Sequence, residues 1–242
     1  MEAIILAAGD GKRMGQETPK ILLEIDGIPM IKRVLNAFST KYTKRKIIVV
    51  KENFNLQLND LVDNITYAYQ MVPLGTMDAY IQALPYVSSK EVIVVPSDIP
   101  FLDQQMIEDI IGYYYQNNIR NLMIGMKMLN PYSFGRIVTK NKNIKIIEQC
   151  DCNNDELNIN IVNTGIYIFH VEDVYQYLPN MNIHKENNEY YLTDFVNYLS
   201  INNMLDTLIF PENYKLKGVN DQNSLANLLR EKKYENTFKK NY

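Results

Sequence analysis

Leu6-Ala7-Ala8-Gly9-Asp10-Gly11-Lys12-Arg13-Met14-Gly15-Gln16-Glu17-Thr18-Pro19-Lys20 follows directly on the apolar run Ala3 to Leu6. An apolar run that breaks into Gly9-x-Gly11 reads as a buried strand ending in a loop whose backbone can turn tightly and approach a ligand. Arg13 and Lys20 stand in or just beyond that turn, Lys12 lies beside them, and Pro19 restrains the backbone before Lys20. Glycines leave N–H groups free to form an anion nest, Arg adds a forked donor and Lys a point charge. The loop is therefore suited to a polyphosphate, although a strand ending in a basic turn with no ligand stays open at this level.

Two better-known glycine motifs are excluded. A dinucleotide fingerprint needs a third Gly where this chain has Met14, and a P-loop needs a longer Gly-to-Gly spacing that ends in Lys-Ser/Thr.

Composition narrows the class further. A chain of 242 residues with 46% hydrophobic residues can bury a large α/β core, and its net charge of −3 argues against a nucleic-acid-binding surface. Two cysteines, Cys150 and Cys152, and two histidines, His170 and His184, are too few for a disulfide framework or a thiol/imidazole zinc site. All four read as structural residues. No run of about 18 apolar residues predicts a membrane span, and a start without a basic or apolar leader makes the reducing cytoplasm the expected compartment.

Hydrophobic periodicity predicts strands at Ala3 to Leu6, Ile21 to Ile25, Ile47 to Val50, Thr66 to Tyr69 and Val92 to Val95. Between them it predicts helices from Pro29 to Ser39, Phe54 to Val62 and Thr76 to Leu84. A helix from Gln104 to Asn117 and a strand from Asn121 to Lys127 follow. Beyond Phe134 the pattern turns β-rich, with Arg136 to Thr139, Ile144 to Glu148 and Ile159 to Phe169. Helices near Val171 to Leu178 and Tyr191 to Leu199, a strand at Thr207 to Phe210 and a helix from Ser224 to about Tyr234 complete it; the Asn-rich stretches read as loops. Strands alternating with helices predict a Rossmann-like α/β fold, mostly parallel and flanked by helices, that binds ligands beyond the carboxyl ends of its strands. The Gly loop, Gln70 and Asp98 all follow strands and so belong to one edge.

Asp98, in Pro96-Ser97-Asp98-Ile99-Pro100, is either a turn former or cap, or a ligand for Mg²⁺, which takes one or two carboxylates and lets substrate phosphates complete its shell. Gln70 carries the amide donor and acceptor to read a uracil edge. Gly75 permits a base or ribose to approach the backbone, and Thr76 is a natural N-cap; a plain loop ending in a cap fits that stretch as well. Glu148 and Asn163 offer the mixed donors and acceptors that a hexose needs. Asn220 by itself reads as a loop residue.

Taken together, the string Leu6-Ala7-Ala8-Gly9-x-Gly11-x-Arg13-Met14 with Pro19-Lys20 resembles the signature of the sugar-1-phosphate nucleotidylyltransferases. Gln70-x-x-x-Leu74-Gly75-Thr76, Gly135-Arg136-Ile137, Ile147-Glu148, Asn163-Thr164-Gly165 and Glu189-Tyr190-Tyr191-Leu192-Thr193-Asp194 are similar to segments of the uridyltransferase domains that make UDP-N-acetylglucosamine. The resemblance runs from about residue 3 to residue 230. Pro73 and Cys150 depart from the usual pattern.

The resemblance implies a transfer between UTP and N-acetylglucosamine-1-phosphate, with another sugar-1-phosphate nucleotidylyltransferase of the UDP-glucose type as the nearest alternative, and a cytidylyltransferase or a non-catalytic regulatory homologue behind it. Leu6, Ala7, Ala8, Gly9, Gly11, Gln70, Gly75, Thr76, Pro96 and Ser97 are its nucleotide-contacting positions, with Arg13, Lys20 and Asp98 catalytic. Asp98 and Asn220, in Gly218-Val219-Asn220, hold Mg²⁺, while Gly135, Glu148, Asn163, Tyr191 and Thr193 meet the sugar. It also implies one nucleotidylyltransferase domain, with a nucleotide-binding half at about 1–130 and a sugar-binding lobe at about 131–230. No hexapeptide periodicity occurs, so no β-helix acetyltransferase domain is expected within it. The expected assembly is a monomer or small homo-oligomer without nucleic-acid or membrane partners.

Overall fold

The computed structural model describes residues 1–9, 19–52, 64–140 and 143–240. Gly11 and Arg13, and the helix expected over Phe54 to Val62, lie outside the described residues.

The first strand, β1 (Glu2–Leu6), is followed by a ribbon of β2 (Glu24–Ile25) and β3 (Ile28–Pro29), then α1 (Met30–Ala37), β4 (Lys46–Lys51), β5 (Ile65–Gln70), α2 (Thr76–Ala83) and β6 (Glu91–Pro96). Next come α3 (Gln104–Gln116), β7 (Leu122–Lys127), β8 (Arg136–Lys140), β9 (Asn143–Ile147) and α4 (Asn154–Leu157). The chain continues through β10 (Ile161–His170), α5 (Val171–Tyr177), α6 (Leu192–Ile201), β11 (Asp206–Phe210) and α7 (Gln222–Lys240).

The sheet runs β11-β7-β10-β6-β1-β4-β5. β6, β1, β4 and β5 are mutually parallel, β10 runs against β6 and β7, and β11 is parallel to β7. The mostly parallel sheet expected from the alternation is therefore observed, with β10 as its reversed member. β8 and β9 form a hairpin that leaves the main sheet through a short pairing of Arg136 with Val162.

Helices cover both faces, which is why the central strands are apolar on both sides. Ile5, Ile48, Val50, Ile93 and Val95 pack with Ile31, Val34 and Leu35 of α1 and Ile107 and Ile110 of α3. The alternate residues Ile4, Ile47, Val49, Val92 and Val94 pack with Tyr80 of α2 and Phe195, Val196 and Leu199 of α6.

Three local readings are corrected. Lys20–Leu22 is a 3₁₀ turn, and only Glu24–Ile25 is extended, pairing with Ile28–Pro29 across Asp26 and Gly27, whose φ angles of 52° and 73° suit a two-residue hairpin turn. Asn153-Asn154 is a helix start, because the Asn153 side chain accepts from the N–H groups of Asp155 and Glu156 while Glu156 returns the bond, a reciprocal cap. Thr76 does not cap α2: Gly75 holds that position, and the Thr76 hydroxyl accepts from the N–H of Leu192 at 2.9 Å.

The end of the sheet away from the glycine loop is closed by a buried carboxylate. Glu2 accepts from the N–H groups of Ser88 (2.7 Å) and Ser89 (2.9 Å), from both serine hydroxyls and from Arg45. Burial alone raises the Glu2 pKa, but these donors outweigh it and hold the carboxyl at about 2. A depressed pKa stabilises the fold above the unfolded value, and that stability drains away as pH falls from about 4.5 towards 2, amounting to about 3 kcal/mol. Glu2→Gln should flatten the pH dependence of unfolding free energy across that interval in urea titrations; an unchanged slope removes Glu2 from the acid response.

Candidate active site

The order β5-β4-β1-β6 places a topological switch between β1 and β6, since β4 and β5 lie on one side of β1 and β6 on the other. The loops leaving β1 and β6 must part there. Their ends are in register, Leu6 beside Pro96, and the N–H of Ser97 donates to the carbonyl of Leu6 at 3.1 Å. Beyond them opens a cleft of about 590 Å³, lined among others by Leu6, Ala8, Gly9, Lys20, Gln70, Gly75, Thr76, Pro96, Ser97, Asp98 and Asn220. Residues separated by more than 200 positions thus meet at one edge. Ala7 stands apart: its N–H donates to the carbonyl of Val49 at 2.8 Å and its side chain enters the core.

At the centre of the cleft the Lys20 ammonium lies 2.7 Å from Oδ2 of Asp98, with the two side chains only 13% and 25% exposed. Asp98 is fixed by its backbone, whose carbonyl accepts from Val219 N–H at 2.8 Å. Gly218 packs so close that a Cβ there would sit 3.3 Å from Oδ1 of Asp98. The Gly218-Val219-Asn220 segment is therefore seated against Asp98, bringing Asn220 to the same wall.

This donor set fits Mg²⁺. A carboxylate and an amide, both lining the cleft, are hard oxygen donors, and an ion that retains water and phosphate ligands needs no larger cage. Among the described residues no cluster of three or more Asp, Glu, His or Cys offers a different kind of metal site.

Gln70 is buried, and its amide nitrogen donates to the carbonyl of Gly75 (3.0 Å) and to Oδ2 of Asp78 (2.7 Å). Both hydrogens of that nitrogen are thereby engaged, so the carbonyl oxygen is what the side chain has left to offer as an acceptor. Gly75 has φ +97°, and a Cβ there would meet the Tyr190 carbonyl oxygen at 2.5 Å. The glycine is required by this approach of residues 189–190, a reason that sequence reading assigned to a ligand.

The residues expected to meet a sugar form a second cluster. Thr193 donates to Oε1 of Glu148 at 3.0 Å, a Cβ on Gly135 would lie 3.5 Å from Oε2 of Glu148, and the Gly135 carbonyl accepts from the N–H of Asn163 at 2.9 Å. Burial raises the Glu148 pKa, with Asp151 and Asp194 adding to it against the Thr193 bond. Asn163 donates to the Tyr167 hydroxyl at 2.6 Å, and its own carbonyl accepts from Gly165 N–H at the bulge in β10, where Gly165 has φ +77°. Tyr191 stacks on His184. Tyr167 and His184 were missed as neighbours of these residues; only the alternation along β10, which sets Tyr167 four residues after Asn163 and on the same side, could have pointed to the first of them.

Residues 3–125 match the model of the MobA-like NTP transferase domain family. Among curated relatives, the bifunctional protein GlmU of Carboxydothermus hydrogenoformans is 35% identical over 95% of this chain and 52% of its own. GlmU of Francisella tularensis subsp. novicida is 31% identical over 95% of this chain and 51% of its own. The chain spans about half the length of these relatives. Two solved structures share the fold at 19% identity. The inositol-1-phosphate CTP transferase of T. maritima has a TM-score of 0.68 over 87% of this chain and 86% of that one. A candidate glucose-1-phosphate thymidylyltransferase of Bacillus anthracis has a TM-score of 0.72 over 94% and 93%. Among the described residues no helix is long and apolar enough to cross a membrane.

Proposed function

Because the chain belongs to the MobA-like NTP transferase family, we propose that it is a sugar-1-phosphate uridylyltransferase, joining UTP to N-acetylglucosamine-1-phosphate with release of pyrophosphate. The observation that carries the reading is the Lys20–Asp98 pair in one cleft with Gly9, Gln70 and Asn220. The GlmU relatives, and the Glu189-to-Asp194 string held against Glu148, support the choice of acceptor.

A phosphate monoester is already largely ionised near neutrality, its second pKa being about 6, so an acceptor oxygen can attack the α-phosphorus without a side chain removing a proton. The bond formed is acceptor oxygen to α-phosphorus, and the bond broken is that to the pyrophosphate oxygen. Lys20 and Arg13 supply positive charge to the transferring and leaving phosphates, and Gly9 lets the backbone approach them. Asp98 and Asn220 would hold Mg²⁺, which would supply neutralisation of phosphate charge.

Base choice rests on Gln70. With its nitrogen engaged by Gly75 and Asp78, its carbonyl oxygen is an acceptor that matches N3–H of uracil and opposes the N3 lone pair of cytosine. Gln70→Leu should reduce the preference for UTP over CTP by about tenfold in kcat/KM, the worth of one hydrogen bond; an unaltered ratio assigns base reading elsewhere. The proposal as a whole is tested by pyrophosphate release from UTP, CTP, dTTP and ATP, each with N-acetylglucosamine-1-phosphate, glucose-1-phosphate and a cytidylyltransferase-type polyol phosphate. Activity confined to UTP and the acetylated sugar supports it, and a different preferred pair replaces it.

A further inference from the structure

The reaction above makes no use of His184, yet this residue is tied down from four directions. Its ring stacks on Tyr191 with centroids 4.1 Å apart and planes inclined by 25°. Its Nε2 lies 2.7 Å from Oδ2 of Asp194. Its N–H donates to the Glu189 carbonyl at 2.9 Å and its own carbonyl accepts from Asn188 at 2.8 Å.

Residues 184–191 therefore form a closed strap, and its far end is fastened to the nucleotide side. The N–H of Tyr190 donates to the Leu74 carbonyl at 2.7 Å, and the Tyr190 carbonyl accepts from Met77 at 2.9 Å. The strap feeds directly into α6, whose first turn carries Thr193, bonded to Glu148, and Asp194, bonded to His184. The Tyr191 hydroxyl is held by the Asn187 amide. Burial raises the Tyr191 pKa against that bond, and Glu189, Cys150 and Glu148 raise it further, so the hydroxyl shares the electrostatic surroundings of Glu148.

We propose that His184 is the positioning residue of the acceptor pocket: its ring face and its bond to Asp194 fix Tyr191 and the first turn of α6 beside Glu148, while Tyr190 anchors the same strap to the nucleotide loop. Neither contact touches the reacting atoms. Without them the Tyr191 ring is held only through its hydroxyl by Asn187, and the first turn of α6, tied at Leu192 to the Thr76 hydroxyl, loses its side-chain tie at Asp194, one residue from the Thr193 that bonds Glu148. The inference rests on reading the Glu148–Thr193 cluster as the acceptor pocket.

The two contacts can be separated by substitution. His184→Phe retains the stack, His184→Gln retains a hydrogen bond to Asp194, and His184→Ala loses both. The full chain is assayed with whichever sugar phosphate the acceptor panel identifies, so a wrong sugar identity overturns the functional reading and leaves this measurement intact. His184→Ala should raise the acceptor KM about tenfold, with kcat and the UTP KM within twofold of the parent, and Phe and Gln should each recover part of the loss. An unchanged acceptor KM overturns the proposal. So does a joint fall of kcat, UTP affinity and thermal midpoint that neither Phe nor Gln relieves, because that is the signature of a residue needed only for folding. If no sugar phosphate is accepted, both readings fall.

Discussion

An Asp98→Asn protein is expected to turn over about 10²- to 10³-fold more slowly than the parent at millimolar Mg²⁺, with the deficit narrowing as Mg²⁺ is raised. The substitution is isosteric, and the contacts that seat Asp98 run through its backbone carbonyl to Val219 and through van der Waals packing on Gly218, both of which survive it. What is lost is one negative charge at the centre of the cleft. On the proposed reading that charge would attract the divalent cation, and Lys20 lies against it. Steady-state pyrophosphate release measured as a function of Mg²⁺, with a thermal melt to show the fold intact, decides the matter. Parent-like turnover with an unshifted Mg²⁺ titration would falsify the metal-holding role.

Lys20→Met should separate two properties that usually move together. Turnover falls about 10²-fold, because the ammonium no longer meets the phosphates. Affinity of the nucleotide-free protein for Mn²⁺, used as a spectroscopic substitute for Mg²⁺, rises about tenfold. The second effect follows from the 2.7 Å pair: in the free protein Lys20 occupies the oxygen of Asp98 that a metal ion needs, and both side chains are largely shielded from water, where competition between cations is felt most. Phosphates arriving with the nucleotide offer Lys20 another anion and release Asp98. Calorimetry and Mn²⁺ electron paramagnetic resonance on the free protein read the affinity without reference to activity. A weaker Mn²⁺ site in the variant means that Lys20 assists metal binding, and the exchange described here is wrong.

The two variants also bear differently on Asn220. The segment Gly218 to Asn220 is held by Ser224, whose hydroxyl accepts from the N–H groups of Asn220 and Asp221 at 2.9 Å, and by Asp98. Neither substitution breaks those backbone bonds. Changes in metal affinity therefore report on Asp98 and Lys20 and not on a displaced Asn220.

Strand-forming runs and the order of elements were legible in the chain because they depend on local periodicity: the runs Ala3 to Leu6, Ile47 to Val50 and Val92 to Val95, apolar on both faces, require a sheet covered on both sides, and crossovers of that length require those strands to be parallel. The edge expected to take ligands followed from the same pattern, since Gly9 and Asp98 lie just beyond strands and Gln70 ends one. Only tertiary structure decided why Gly75 must be glycine, because the atom it avoids belongs to Tyr190, more than a hundred residues away. It alone set Thr76 on Leu192, Lys20 on Asp98 and His184 between Tyr191 and Asp194. Periodicity and turn chemistry act over a few residues, and so can be read along the chain. The partners of a hydroxyl, an ammonium or an imidazole are chosen by what the packed sheet and helices bring within about 3 Å of it, and that distance is a property of the whole fold.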